Sequence, residues 1–113
     1  MMILVTGGRT YSDAMKVHEV LSGMYSRHPG MCVVQGGAKG ADELARNWCA
    51  RNGVPCLTMH AHWDYYGDRA GSLRNNWMLK HCHPTMVIAF PGGNGTQHMI
   101  RSALRNGFEV HRV

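Results

Sequence analysis

The sequence predicts a Rossmann-like three-layer α/β/α domain with a mainly parallel sheet of about five strands. Three observations predict it. Short apolar runs alternate with segments whose apolar residues recur at helical spacing. The runs are apolar throughout, the pattern of strands covered on both faces. Three of them end in paired glycines: Gly7–Gly8, Gly36–Gly37 and Gly92–Gly93. With 113 residues, the chain is expected to be a single domain spanning residues 1–113.

Ile3–Val5 is the first strand. Ser12 offers an N-cap to a helix whose apolar face is Val17, Val20, Leu21, Met24 and Tyr25, stopped at Pro29–Gly30. Met31–Val34 is the second strand. Ala41, Leu44, Ala45, Trp48 and Cys49 mark the next helix, closed by Asn52–Gly53. Val54–Met59 reads as the third strand and residues 60–70 as a loop rich in aromatic and charged side chains. Residues 71–81 read as a helix with Leu73, Trp77 and Met78 facing inward. Met86–Phe90 is the fourth strand, a helix runs from about Gln97 to Arg105, and Phe108–Arg112 is the fifth strand.

The composition is that of a globular protein, with 44% hydrophobic and 17% charged residues. No apolar stretch approaches the ~20 residues of a membrane span. The strand-like start has no basic leader or cleavage site, so a cytoplasmic protein with no membrane partner is expected. The four cysteines Cys32, Cys49, Cys56 and Cys82 stand singly and read as free thiols. A formal charge of +5 and a pI near 9.3 imply an anionic partner.

In an open parallel sheet, ligands bind beyond the carboxyl ends of the strands. The glycine-rich loops all leave those ends. In Gly92–Thr96 (GGNGT), glycine lets the backbone approach an anion, helix-start amides stabilise it, and Thr96 adds a hydroxyl. Gly92, Gly93, Gly95 and Thr96 are therefore candidate phosphate ligands. Gly36, Gly37, Lys39 and Gly40 form a second such loop, and Gly7, Gly8 and Arg9 a third, with the planar Arg9 fork suited to phosphate. Asp42 and Glu43 open a helix. Glu43 reads as a helix-dipole partner, and Asp42 either as the same or as a ligand for a sugar hydroxyl or a catalytic water.

In residues 60–79, Trp63 either stacks a base or joins a small satellite core. Arg74 and Asn75 fall where they point back to the strand ends. The pairs His60/His62 and His81/His83 lack the four convergent ligands of a zinc site, and no metal or cofactor is expected. There is no GxSxG nucleophile elbow.

The segments TGGRTY, GGAKGADELA, AGSLRNNWML and FPGGNGTQHMIRSA together resemble the SLOG superfamily, and within it the small YspA-like branch of bacterial and phage proteins. That resemblance implies a Rossmann-like fold binding nucleotides or nucleotide-derived signals, and a homodimer or higher homo-oligomer. Met15 and Trp77 are candidates for such a face. The phosphoribohydrolases of the superfamily share the PGGxGT loop but follow it with two glutamates, where this chain has His98 and Met99. Glycosidic cleavage needs a carboxylate near the sugar, and Asp42 and Asp64 are the acids expected to face the pocket. The segment GGAKGAD is also similar to the DprA family, which binds single-stranded DNA.

The resulting expectation is a binder of a nucleotide-derived small molecule. The amides of Gly92–Thr96 and Gly36–Lys39 hold phosphate, Arg9 and Arg74 neutralise it, and Asp42 and Asn75 orient the ribose or a water. Whether the ligand is hydrolysed, with Asp42 and Asn75 as catalytic residues, or only sensed stays open. Single-stranded nucleic acid is the alternative partner.

Overall fold

The computed structural model describes residues 1–113. Five strands, β1 (Met2–Thr6), β2 (Cys32–Gln35), β3 (Cys56–Thr58), β4 (Met86–Ala89) and β5 (Val110–Arg112), form one sheet in the order β3-β2-β1-β4-β5. Every pairing is parallel. Chain order reverses between β1 and β4, so the crevice of this α/β fold opens between their carboxyl ends.

Helices α1 (Ala14–Arg27) and α2 (Ala41–Asn52) cover one face. A short helix α3 (Trp63–Tyr66), a 3-10 turn over Gly67–Arg69 and α4 (Ala70–Trp77) lead to the other face, which α4 shares with α5 (Asn94–Arg105). Alternate strand residues serve alternate cores. Ile3, Val5, Val33 and Ile88 pack with Val17, Leu21, Ala45 and Trp48. Leu4, Val34 and Val87 pack with Met78, Leu79, Met99 and Ala103. That division is the physical reason the strand sequences are apolar without alternation.

Trp48 is fully buried and donates from Nε1 to Ser22 Oγ at 3.0 Å, joining α2 to α1. No helix is long and apolar enough to cross a membrane.

Several boundaries differ from the sequence expectation. Asp13, not Ser12, caps α1, its side chain accepting the Lys16 amide at 3.0 Å. The stretch 60–70 is largely helical. Trp77 is 56% exposed and does not face inward. After Trp77 the helix widens into a π turn over Met78–Cys82, and this rotation turns both Met78 and Leu79 into the core. Helix α5 begins at Asn94, three residues before the expected start, because Gly93 is its N-cap and Gly95 and Thr96 lie in its first turn.

Candidate functional site

The carboxyl ends of β1 and β4 open into a cleft of about 870 Å³, within the range of small-molecule sites. Its floor is made by two chain segments in direct contact. Gly8 donates its amide to the Pro91 carbonyl at 2.9 Å, and the Gly8 carbonyl accepts the Ala41 amide at 3.1 Å. A Cβ on Gly8 would lie 3.0 Å from the Pro91 oxygen, and one on Gly7 would overlap Ala41. A side chain on Gly92 would displace Thr96 Oγ1 and the Gly8 amide. These three glycines let the strand-end loops close on each other.

Gly93 and Gly95 differ. A Cβ at either would meet nothing within 4 Å. Gly93 caps α5 with no side-chain hydrogen bond, and the first bond of the helix runs from the Gln97 amide to the Gly93 carbonyl at 3.0 Å. The amides of Asn94, Gly95 and Thr96 precede that bond and have no intrahelical acceptor. They point with the helix dipole into the cleft.

Two arginines line the cleft. Arg9 is exposed, with Cζ 5.4 Å from the centre of the Trp63 ring, a cation–π contact. Trp63 is held from behind by Gly71, where a Cβ would come within 3.2 Å of the indole. Arg74 is half-buried. It donates from Nη1 to the Gly36 carbonyl at 2.7 Å and from Nε to Asn75 Oδ1 at 3.1 Å, and Nη2 takes no part in either bond. Burial lowers the Arg74 guanidinium from its ordinary value; Asp42 opposes this and the positive charge of Arg9 adds to it. Two mutually repelling guanidinium groups on one cleft favour an anion between them.

Asp42 is 6% exposed. Its Oδ2 accepts the amides of Gly36 and Ala38, each at 3.2 Å. No buried side-chain oxygen or nitrogen lacks a partner, so Oδ1, which has no protein hydrogen bond, is the atom open to the cleft. Burial raises the Asp42 carboxyl above its ordinary value, against the lowering pull of the Ala38 amide, Arg74 and the Gly36 amide.

Asn75 joins α4 to the start of α5. Its Nδ2 donates to the Gly95 carbonyl at 3.2 Å and faces His98 Nδ1 at 3.2 Å, while Oδ1 accepts from Arg74. His98 also lines the cleft and is held below its ordinary value by burial, then by Arg101 and Arg105. A neutral imidazole accepting at Nδ1 presents Nε2–H.

The structure thus gathers Gly7, Gly8, Arg9, Asp42, Trp63, Arg74, Asn75, Gly92, Gly93, Gly95 and Thr96 around one cleft. It does not bring Gly36, Gly37, Lys39 or Gly40 to the lining. Three of the four amides expected to hold phosphate in that loop have internal acceptors instead: Gly36 and Ala38 on Asp42, and Gly37 on Gln35 Oε1 at 2.6 Å. Gly40 adopts φ +76°, and any Cβ there would overlap the Gly8 and Arg9 backbone. This loop therefore braces the site.

Asp64 is absent from the lining, whereas Asp13 and Asp68 are present. Asp68 was hidden by the loop reading of 60–70, since it is the 3-10 turn that brings it to the edge of the cleft. His98 was also missed as a lining residue. Its signal was its place one turn into the helix after GGNGT. No three His, Cys, Asp or Glu side chains gather as a metal-binding group.

Comparison with known proteins follows the same lines. The family model described as "YspA, cpYpsA-related SLOG family" matches residues 1–66. The Gene 61 protein of Mycobacterium phage D29 is 37% identical over 117 residues, covering 96% of this chain and 92% of that protein. The crystal structure of TM1055 superposes with a TM-score of 0.75 at 18% identity, over 96% of this chain and 71% of that one. DNA processing protein A (DprA) from Streptococcus pneumoniae gives a TM-score of 0.62 at 17% identity, over 97% of this chain and 58% of that one.

Proposed function

The chain belongs to the YspA, cpYpsA-related SLOG family, and from that premise we propose that it binds a phosphorylated nucleoside or nucleotide derivative in the β1/β4 cleft. The observation that carries this reading is the convergence of Arg9, Arg74 and the uncapped start of α5 on one cavity. A helix start with free amides favours a phosphate, and guanidinium forks bind its oxygens in pairs. Phosphate rests on the amides of Asn94 to Thr96, with the Thr96 hydroxyl beside them. Arg74 Nη2 and Arg9 neutralise it. Asp42 Oδ1 accepts from a ribose hydroxyl or a water. The exposed face of Trp63 stacks on the base.

Binding without turnover is the primary reading, because the polar atoms of Asn75 are occupied in holding Arg74, Gly95 and His98. Hydrolysis is the second reading, favoured by one observation: Asp42 is a buried carboxyl with a raised pKa and one free oxygen, the character of a general acid or base. One experiment separates them. The protein is incubated with nucleoside mono-, di- and triphosphates and dinucleotides, and both retained ligand and released base are measured by mass spectrometry. Retention without product supports a sensor or sequestering protein. Base release that is lost in Asp42→Asn supports the hydrolase. The absence of both retained nucleotide and released base overturns both readings.

Single-stranded nucleic acid remains the alternative partner, supported by the +5 charge and by the likeness in fold to DprA, a DNA processing protein. Oligonucleotide binding that weakens steeply with salt, together with no retention of mononucleotides, would favour it. A homodimer or higher homo-oligomer is part of the proposal. Met15 on α1 and Trp77 on α4 are 83% and 56% exposed, and sedimentation of the ligand-bound protein tests it.

A further inference from the structure

Behind the bracing loop, two thiols meet on the α2 side of the sheet. In the β2–β3 ladder, Val33 pairs with Cys56 and Gln35 with Thr58, so each pair of side chains shares a face. Val33 packs in the same core as Cys49 of α2. Cys56 therefore faces α2, where Arg46 and Cys49 are one turn apart. The Cys49 and Cys56 side chains are neighbours there, and Gln35 Nε2 lies 3.7 Å from Cys56 Sγ. Their surroundings are unequal. Cys49 is 1% exposed, whereas Cys56 is exposed on the edge strand.

We propose that Cys56 and Cys49 form a redox pair, in which Cys56 reacts with a hydroperoxide and Cys49 resolves the product as an intramolecular disulfide. The Cys56 thiolate attacks the peroxide oxygen, the O–O bond breaks, and the departing hydroxide or alkoxide takes a proton. Cys56 becomes a sulfenic acid. Cys49 then loses its proton and attacks the Cys56 sulfur, and the S–O bond breaks to release water. In sum, two thiols give up two electrons and two protons, and the hydroperoxide is reduced to water and an alcohol, or to two waters.

The inequality sets the roles. The neighbouring Cys49 thiol, then Gln35 and Arg46, lower the Cys56 thiol to about 6 against the opposing effect of its burial. Cys49 is raised by the neighbouring Cys56 and by burial, so it stays a protonated thiol until its partner is oxidised. An accessible, low-pKa thiol beside a second thiol is the arrangement of redox-responsive cysteines. The other two cysteines serve as internal controls. Cys32 is bonded to the Met1 carbonyl and the Met2 sulfur, and burial raises Cys82. Gln35 also accepts the Gly37 amide, which puts the pair one side chain away from the loop that braces the cleft.

The test uses the full, reduced chain and reads thiol chemistry alone, independent of what the cleft binds. Pulse alkylation at pH 6 should label Cys56 roughly tenfold faster than an unperturbed thiol, after allowing for the weaker nucleophilicity of a low-pKa sulfur. Its rate should level off above about pH 7, while ordinary thiols continue to speed up towards about pH 8.5. Hydrogen peroxide should remove two hydrogens from the intact mass and leave a Cys49–Cys56 cross-linked peptide. In Cys49→Ala, the same treatment should leave a Cys56 sulfenic acid that a 1,3-dione traps. Labelling of Cys56 no faster than Cys32 or Cys82 overturns the proposal. So does a peroxide-induced disulfide that joins two chains or uses Cys32 or Cys82.

Discussion

The guanidinium of Arg74 occupies the space that a side chain on Gly36 would need, with Nη1 donating to the Gly36 carbonyl at 2.7 Å. The cleft arginine is thus aimed by the carbonyl that opens the bracing loop. A Gly36→Ala change meets only the movable tip of Arg74, so its cost should be about 1 kcal/mol, the worth of the displaced hydrogen bond. Gly40→Ala meets backbone at φ +76°, and should cost more, about 2–3 kcal/mol. Denaturant melts should rank them in that order. In an Arg74→Ala background the Gly36→Ala cost should largely disappear, while that of Gly40→Ala should not.

Gly93→Asp separates fold from function. Gly93 caps α5, and a Cβ there meets nothing within 4 Å. Asp is a good N-cap but lacks the backbone freedom of glycine at ψ −141°, so stability should change by no more than about 1 kcal/mol. Its carboxylate, however, takes the place proposed for phosphate. A nucleotide at 100 times its Kd should stabilise the unmodified protein by about 2.7 kcal/mol, a shift of roughly 10 °C for a domain of this size. The variant should show no such shift. A normal shift in Gly93→Asp would remove the phosphate assignment.

The sheet was legible in the sequence because burial on both faces leaves Ile3–Val5, Val33–Val34 and Val87–Ala89 apolar without interruption. The cleft was legible because close approach of Gly7, Gly8 and Gly92 demands residues without a Cβ. What the sequence hid was how each glycine is used. Gly36 and Gly93 look alike in a string, yet the amide of Gly36 is bonded to Asp42 while Gly93 opens a helix. That difference lies in a contact between loops distant in sequence. The residues 60–70 were also hidden, since α3 is a four-residue helix with no buried side chain and so no apolar period.

Asp42 should leave a mark on stability against pH. Its folded pKa is raised, so its contribution is fully present below the ordinary carboxyl value near 4 and is lost as pH rises through the folded value. Asn at this position keeps an oxygen for the Gly36 and Ala38 amides without the buried charge. Asp42→Asn should therefore match the wild type at pH 3–4 and equal or exceed it at pH 7. Thermal melts across that range measure the difference. A variant much less stable at pH 7 would mean that the ionised carboxylate holds the loop.

Asn75 and His98 make the opposite prediction. The Gly95 carbonyl can only accept, so the Asn75 atom facing it is Nδ2, and the same amide donates to His98 Nδ1. This fixes His98 as the neutral Nε2–H tautomer and favours it over imidazolium. Its folded pKa is lowered, so its contribution is present above the ordinary histidine value near 6.5 and is lost as pH falls through the folded value. Nitrogen shifts of the imidazole in NMR read both tautomer and titration. In Asn75→Ala the tautomer preference should weaken and the His98 titration should move up, with a stability loss of about 1–3 kcal/mol from the unpaired groups. Asn75→Asp replaces the donor with an acceptor and should move the titration up further. If neither variant moves His98, Asn75 does not position it and acts only through its bonds with Gly95 and Arg74.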